Sequence, residues 1–529
     1  MAKAKQFTTL NIDKVRQLRS FRIDYSHVRN LEYVDKRKRK PQSFAQYRKI
    51  APRAVMKTEK QPRPRFPADL RYLKSYSALH FPRGKMLILV NYSLYPSISH
   101  SINQYVQDVA YEGYFAIVYR VKNGTPPALR NFIKKKMPLA GVLMVGNLPT
   151  AWFEMDDDFY NSHSEFPCDL YYMDLNGKWS DPDNDGKFSG HALNVQPEIW
   201  VGRLWTPIGN GNNAALINDY FSRNHMFRKG LFGYSNRALA YVDDDWSNFH
   251  DCALDFMFPP AQIEVITDPA TTDGDRYKAE INQHRAWAQV CAHSSPGGHS
   301  FKIPSGSEWV PNTYLRDVNP PNAYFYNLFA CSNARFTQTD YMAGWYIFDK
   351  GGGSVCNGLA AVGSAKTGSM LMFENFYGPM GSGKAIGDAY VDWWKSLGAT
   401  HDLGERRWYY GMVLLGDPTL NWWSGVVPVL RDPFKGDVFD HFPRRTHFRW
   451  DPISLTGTVY NIEIDAFGAR VGGKWAAEAG LTWLVSGALI DHSFEHLFVG
   501  AQRGRWRVRA KVGARICPWS DWRYFTYTV

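Results

Sequence analysis

The sequence predicts two α/β units with parallel sheets, followed by an all-β module. Three observations predict it. Short apolar runs alternate with amphipathic stretches from about residue 85, the pattern of strands joined by helices. That pattern restarts once, after Asn210. After Trp423 the helical periodicity ends, and apolar and polar residues alternate instead. The expected divisions are an N-terminal segment (1–84), a first α/β unit (85–210), a second (211–425) and the β module (426–529).

The N-terminal segment is set apart by charge. Residues 1–85 hold 23 Lys and Arg against 6 Asp and Glu, whereas the remainder holds 39 against 44. The net charge of +12 therefore belongs to the start of the chain and not to its folded body. The segment includes Lys36-Arg37-Lys38-Arg39-Lys40 and the Pro/Arg-rich stretch Gln61 to Pro67, with a possible helix from Asp13 to Leu31. A solvated arm, a pro-segment, and contact of residues 1–84 with nucleic acid or an anionic surface are all open readings. No apolar run reaches the roughly 18 residues of a membrane span, and Met1 to Phe7 lacks the pattern of a secretory signal. Six cysteines without Cys-x-x-Cys spacing argue against a structural zinc site.

In the first unit, Met86–Asn91, Tyr114–Tyr119 and Leu139–Gly146 read as buried strands. Ser97–Glu112 and Pro126–Lys136 read as the helices between them. Cys168–Met173 and Glu198–Val201 are expected to complete the sheet. Between those two lies Asp181-Pro182-Asp183-Asn184-Asp185-Gly186. Alternating carboxylates before a glycine match the first half of a calcium loop, with Asp174 or Glu198 nearby to supply a missing ligand. An Asx-rich turn is the plainer alternative.

The second unit opens with a helix over Ala214–Phe227, then the strand Arg237–Val242 running into Asp243-Asp244-Asp245-Trp246. That acidic run could cap a helix, bind a metal or hold a cationic group. Ile263–Ile266 follows. Two buried strands come next, and each delivers a reactive side chain just past its C-terminal end. Trp287–Cys291 leads to His293, and Ala323–Phe329 leads through Ala330 to Cys331. In an open parallel sheet that edge is where ligands bind. A thiol and an imidazole placed there can act as nucleophile and base. His299, beyond Pro296-Gly297-Gly298, is the rival base and is expected on a mobile loop. Ser354–Gly363 reads as a further strand and Lys384–Leu397 as a helix, with Gly416–Leu420 a closing turn. Gly381-Ser382-Gly383-Lys384 is too short for a phosphate-binding loop, so no organic cofactor is expected. In the last hundred residues His447–Pro452, Val459–Ile464, Trp483–Val485 and Arg505–Val512 alternate as half-buried antiparallel strands, enough for a β-sandwich.

Together these features resemble the gingipain-like cysteine peptidases, a branch of the caspase-like superfamily. The resemblance covers roughly residues 85–423. It is carried by the paired α/β units, Pro197 to Leu204 closing the first, the strand-borne His293, the apolar strand ending in Ala330-Cys331, and Leu414 to Leu420. The final module resembles a fibronectin type III domain, one of the immunoglobulin-like modules that such enzymes often carry. The resemblance implies an endopeptidase acting on proteins or peptides through a Cys331–His293 dyad and a thioester acyl-enzyme. It also implies structural calcium and a secreted or cell-surface setting. In that superfamily a Gly usually follows the His, and here Ser294 does. Some members prefer Arg or Lys at the cleavage site, but Asn194 stands where an acidic residue would suit that preference. The competing reading is an inactive peptidase-like scaffold, binding a surface, nucleic acid or protein through its basic arm and β-sandwich.

Overall fold

The computed structural model describes residues 40–63 and 83–528, apart from 233–234, 351–355, 424–425, 518 and short stretches between 454 and 514. Predictions within 1–39, the helix from Asp13 to Leu31 and the basic run up to Arg39 among them, lie outside the described residues. The chain forms two compact units, one built on the large sheet and the other on residues 423–529.

Eleven strands make up the large sheet: β1 (Lys57–Lys60), β2 (Gly84–Asn91), β3 (Tyr114–Lys122), β4 (Gly141–Val145), β5 (Trp200–Leu204), β6 (Ala238–Val242), β7 (Ile263–Ile266), β8 (Arg285–Cys291), β9 (Ala323–Phe329), β10 (Ala360–Ser364) and β11 (Met412–Gly416). Their spatial order is β1-β3-β2-β4-β5-β11-β10-β9-β8-β6-β7. Every neighbouring pair is parallel except β1–β3 and β10–β11. The two α/β units thus share one sheet, joined where β11 returns from the second unit to lie parallel to β5 of the first. The antiparallel step at β10–β11 makes the two halves run in opposite directions. Strands β4, β5, β6, β8, β9, β10 and β11 are buried along their whole length, as strands covered on both faces must be. Just past β11, buried Asp417 accepts hydrogen bonds from Tyr105 Oη at 2.7 Å and Asn224 Nδ2 at 2.9 Å, fastening a helix of each half to this seam.

The helices Tyr95–Tyr111, Pro126–Lys134, Ala214–Arg228 and Ile386–Ser396 fall where apolar periodicity predicts them. Two segments differ. Cys168–Met173, expected as a strand, contains a buried helical turn over Leu170–Met173. Four consecutive buried residues carry no period by which strand and helix can be told apart. Part of the N-terminal segment is built into the fold and is not a solvated arm. Tyr47 is buried, and Lys57–Lys60 pairs antiparallel with Tyr119–Lys122 as an edge strand. A lysine-rich edge strand carries no apolar signal, and its charges discourage pairing with another chain.

The unit of residues 423–529 has a three-stranded and a seven-stranded sheet. Phe448 of the smaller sheet meets Trp506 and Phe525 of the larger at 5.0 and 5.8 Å, so the two sheets share a core as a β-sandwich.

Candidate active site

Four adjacent parallel strands, β10, β9, β8 and β6, end at one edge of the sheet, and each is followed by a chemically active group. The register pairs Cys291 with Phe329, and the ladder's last bond runs from the Ala292 N–H to the Phe329 carbonyl at 3.1 Å. His293 and Cys331 each lie two residues past that pair, on neighbouring strands of the same sheet edge. Both therefore leave the sheet at the same edge, His293 after β8 and Cys331 after β9.

His293 opens a three-stranded antiparallel sheet formed by His293–Ser295, Gly298–Ile303 and Gly306–Pro311. Gly298 is needed in it, because a Cβ there would lie 2.3 Å from the Val310 carbonyl oxygen. The imidazole is largely buried, and Trp246 packs beside it with ring centroids 4.6 Å apart. Trp246 also touches Phe329, at 5.4 Å, so one indole sits against both the imidazole and the nucleophile's strand. Nε2 of His293 lies 2.8 Å from Asp245 Oδ2. A carboxylate only accepts, so this contact places the ring proton on Nε2 and leaves the lone pair on Nδ1. Nδ1 is buried and has no hydrogen-bond partner among the described residues. The hydrogen bond from His293, helped by Lys302, holds the Asp245 carboxyl down at about 2. Lys302 Nζ is 2.7 Å from Asp245 Oδ1. Asp243 is buried instead, and burial pushes its carboxyl up to about 8 although both its oxygens accept the Lys302 N–H.

Asp245 is the partner of His293 that sequence reasoning did not single out. The triple Asp was legible as an acidic run but was assigned no partner. The available signal was topological: a run that follows a strand beside β8 must emerge at the edge where His293 emerges.

Cys331 is buried, and Ser332 after it adopts φ +56°, turning the chain sharply out of the sheet. The Ser332 N–H donates to the Lys366 carbonyl at 2.8 Å, and the Ala334 N–H to the Ser364 carbonyl at 2.9 Å. The nucleophile's turn therefore leans on the segment that follows β10. Burial pushes the Cys331 thiol up; the Gly368 N–H and the Lys366 charge pull it down. At Gly368 φ is +111°, and a Cβ would sit 2.6 Å from the Trp408 carbonyl oxygen, so only glycine brings this N–H to the sulfur. Lys366 is itself buried. Its ammonium is held by Asp158 Oδ1 at 2.8 Å and by the carbonyls of Thr367 and Arg407, each at 2.5 Å.

His299 does not lie on a mobile loop. It sits in the strand Gly298–Ile303, fully buried, with Nε2 2.7 Å from Tyr346 Oη and with Tyr277 and Phe301 around the ring. Burial pushes the imidazole down to about 3, so it is a neutral core residue at any ordinary pH.

The expected calcium ligands divide. Asp174 is buried, and four donors occupy its carboxylate: the N–H groups of Asn176 and Gly177, Trp179 Nε1, and His191 Nε2 at 2.6 Å. Glu198 accepts from the Leu175 N–H at 2.6 Å and from the Asn176 side chain. Both residues fasten the turn after Asp174. Asp181 and Asp185 accept the Gly186 and Lys187 N–H groups in an Asx-rich turn. Oxygens of Glu154, Asp183 and Asp185 lie within 4.8 Å of one another, and Asp181 Oδ1 is buried with no hydrogen-bond partner among the described residues. Their carboxylate oxygens are hard donors, the kind that calcium takes. Lys187 Nζ already reaches Glu154 at 2.6 Å, Asp185 at 2.8 Å and Glu165 at 3.1 Å, supplying an internal cation to the same cluster.

The sequence model of peptidase family C25 matches residues 116–423, which include strands β4 to β11, His293, Cys331 and Asp245. The chain belongs to peptidase family C25, the gingipain family. It is thus a cysteine peptidase by family, with the mixed α/β caspase-like fold. No curated protein matches this C25 peptidase. Among solved structures it is similar to one described as "Structure of Protease", at 12% identity, covering 86% of this chain and 99% of that one with a TM-score of 0.47. It is also similar to the chicken CNTN1 FN1–FN3 domains, at 14% identity, covering 19% of this chain and 33% of that one with a TM-score of 0.14. Among the described residues no helix is long and apolar enough to cross a membrane.

Proposed function

We propose that this C25 peptidase is an endopeptidase in which Cys331 is the nucleophile, His293 the general base and Asp245 the group that orients it. The observation that carries the reading is the Asp245–His293 contact. It occupies Nε2 and leaves Nδ1 unpartnered, on the histidine whose position in the parallel register matches that of Cys331.

The buried thiol rests protonated, so attack requires a base. As the sulfur adds to the scissile carbonyl carbon, its proton passes to Nδ1 of His293. The resulting imidazolium lies against the ionised Asp245. Backbone N–H groups of Cys331 and Ser294 stabilise the oxyanion, a task for which a serine N–H serves as well as a glycine N–H. Collapse breaks the C–N bond. The proton on Nδ1 goes to the leaving amine, and a thioester remains on Cys331. Water, deprotonated by the same nitrogen, then releases the acid and restores the thiol.

Calcium would be held by Asp183 and Asp185 with Glu154, and would tie the turn to the hairpin of Trp152–Asp158 and Ser162–Pro167. Its contribution there is structural.

The test is covalent labelling with acyloxymethyl ketones bearing different side chains, with the adduct located by mass spectrometry. It is paired with cleavage of peptides blocked at both ends. Labelling at Cys331 that is lost in His293→Ala, with internal cleavage of blocked peptides, is the expected result. A folded protein that no probe labels favours the scaffold reading.

A further inference from the structure

Arg335 lies four residues past Cys331 and is buried, yet its guanidinium is served by backbone carbonyls from three separate segments. Nη1 donates to the Ala365 carbonyl at 2.9 Å. Nη2 donates to the carbonyls of Gln42 and Glu165, the latter at 2.6 Å. The guanidinium rests 4.8 Å from the centre of the Trp152 ring. Phe44 and Tyr47 pack against that same ring, at 5.4 and 5.3 Å. A second tie lies alongside: the Gln42 N–H donates to Gln338 Oε1 at 2.8 Å. The turn after the nucleophile is thus bonded at two points to chain that lies nearly three hundred residues earlier.

That earlier chain is itself anchored along its length. The Phe44 N–H donates to Glu165 Oε1 at 2.7 Å, and the Thr150 N–H donates to Tyr47 Oη at 3.2 Å. Asn147 Nδ2 donates to the Ile50 carbonyl at 2.8 Å, and Lys57–Lys60 joins the sheet. At its other end Arg335 grips Ala365. This residue lies in the stretch on which Ser332 and Ala334 lean and from which Gly368 points its N–H at the Cys331 sulfur.

We propose that residues 42–60 are a working part of the peptidase, a strap whose seating Arg335 transmits, as a positioning residue, to the turn that presents Cys331. The proposal rests on the reading of Cys331 as nucleophile. Unseating the strap removes an acceptor from a buried guanidinium and strips Phe44 and Tyr47 from Trp152. The charge then draws in water, and the turn loses its fixed place beside His293. Cleavage within Lys36 to Lys40 leaves the strap whole and the enzyme active, whereas cleavage at Arg48 or Lys49 does not.

The experiment uses the full chain as wild type, Gln338→Ala, Arg335→Lys, Arg335→Met and Phe44→Ala/Tyr47→Ala, with Cys331→Ala as the control for the underlying reading. It measures kcat and KM on a blocked peptide, the pH profile, and the rate of trypsin cleavage within 42–60. The double variant is expected to be nicked at least tenfold faster, with kcat down tenfold or more and KM within twofold. Arg335→Lys, which keeps the charge but cannot span three carbonyls, should recover part of the kcat that Arg335→Met loses, with an unchanged pH profile. Loss of activity in Cys331→Ala establishes the nucleophile independently. If that holds while a strap cut by trypsin leaves kcat at the wild-type value, the strap proposal is overturned. Wild-type kcat in both Gln338→Ala and Arg335→Lys overturns it too, even if the double variant does not fold.

Discussion

Asp245→Asn isolates the charge that His293 is built against. During attack the imidazole becomes a cation with Nε2 2.8 Å from Asp245 Oδ2. Two unit charges about 4 Å apart interact by about 4 kcal/mol at an effective dielectric of 20. That figure must be discounted twice. The Asp245 side chain is 34% exposed, and its other oxygen is shared with Lys302 at 2.7 Å. Halving it leaves about 2 kcal/mol, in line with the roughly 1.5–3 kcal/mol of a hydrogen bond to a charged group. At about 1.4 kcal/mol per decade, kcat/KM should fall roughly 10- to 50-fold. Asp245→Ala, which also leaves Nε2 without an acceptor, should lose about tenfold more. The assay is steady-state cleavage of a blocked peptide from pH 5 to 8, with circular dichroism to confirm folding. The carboxyl sits at about 2, so the charge is present across that whole window and the defect should be equally large throughout it. A folded Asp245→Asn within twofold of wild type would refute the argument, because the contact would then be structural only.

Three further predictions follow from buried groups. Lys366→Met should move the pH dependence of Cys331 alkylation to higher pH, since it removes a cation that favours the thiolate; iodoacetamide kinetics with unchanged dependence would show that the ammonium serves only Asp158 and the carbonyls. His299→Phe should keep peptidase activity and remove an acid sensitivity. Its imidazole is depressed from about 6.5 to about 3, so stability is complete above pH 6.5 and is lost as pH falls toward 3, by about 3 kcal/mol at pH 4; urea melts from pH 4 to 7 with the same slope in both proteins would contradict this. Calcium should raise the melting temperature more in Lys187→Ala than in wild type, because Lys187 already neutralises the carboxylates that would hold the ion; a calcium response that does not grow on removing the lysine would place the ion elsewhere.

How much of this was legible in the sequence depended on how each residue type carries its signal. Strands buried on both faces are runs of apolar residues, and β6, β8 and β9 fall within two residues of where such runs place them. The placing of His293 and Cys331 at one sheet edge was legible for the same reason, since each closely follows a run. The hairpin of Trp152–Asp158 and Ser162–Pro167 was not, because Asp156-Asp157-Asp158 breaks its alternation, and its buried Asp158 is explained only by Lys366 more than two hundred residues away. His299 misled because Pro296-Gly297-Gly298 signals a loop. The glycine there serves instead a close strand crossing at Val310. Asp174 and Glu198 misled in another way: a carboxylate that satisfies a turn's N–H groups cannot be told by spacing from one that binds a metal.

The strand order explains why this edge of the sheet suits proton transfer from sulfur to nitrogen. Reading across β10, β9, β8 and β6, the groups that emerge are Lys366 with the Gly368 N–H, then Cys331, then His293, then Asp245. An ammonium paired with Asp158 flanks the sulfur, and a carboxylate shared with Lys302 flanks the imidazole. A neutral thiol and neutral imidazole gain little from that arrangement. Once the proton has moved, the thiolate faces a cation and an N–H donor, and the imidazolium faces a carboxylate. The field is fixed by backbone register and by groups already held in place, so it costs no reorganisation when the proton moves. Burial raises the thiol at rest, and the same burial strengthens the two flanking charges during attack. Cys168 makes the contrast: there burial and the Asp169 charge both push the thiol up, whereas at Cys331 the Lys366 charge and the Gly368 N–H oppose burial, as the proposed nucleophile requires.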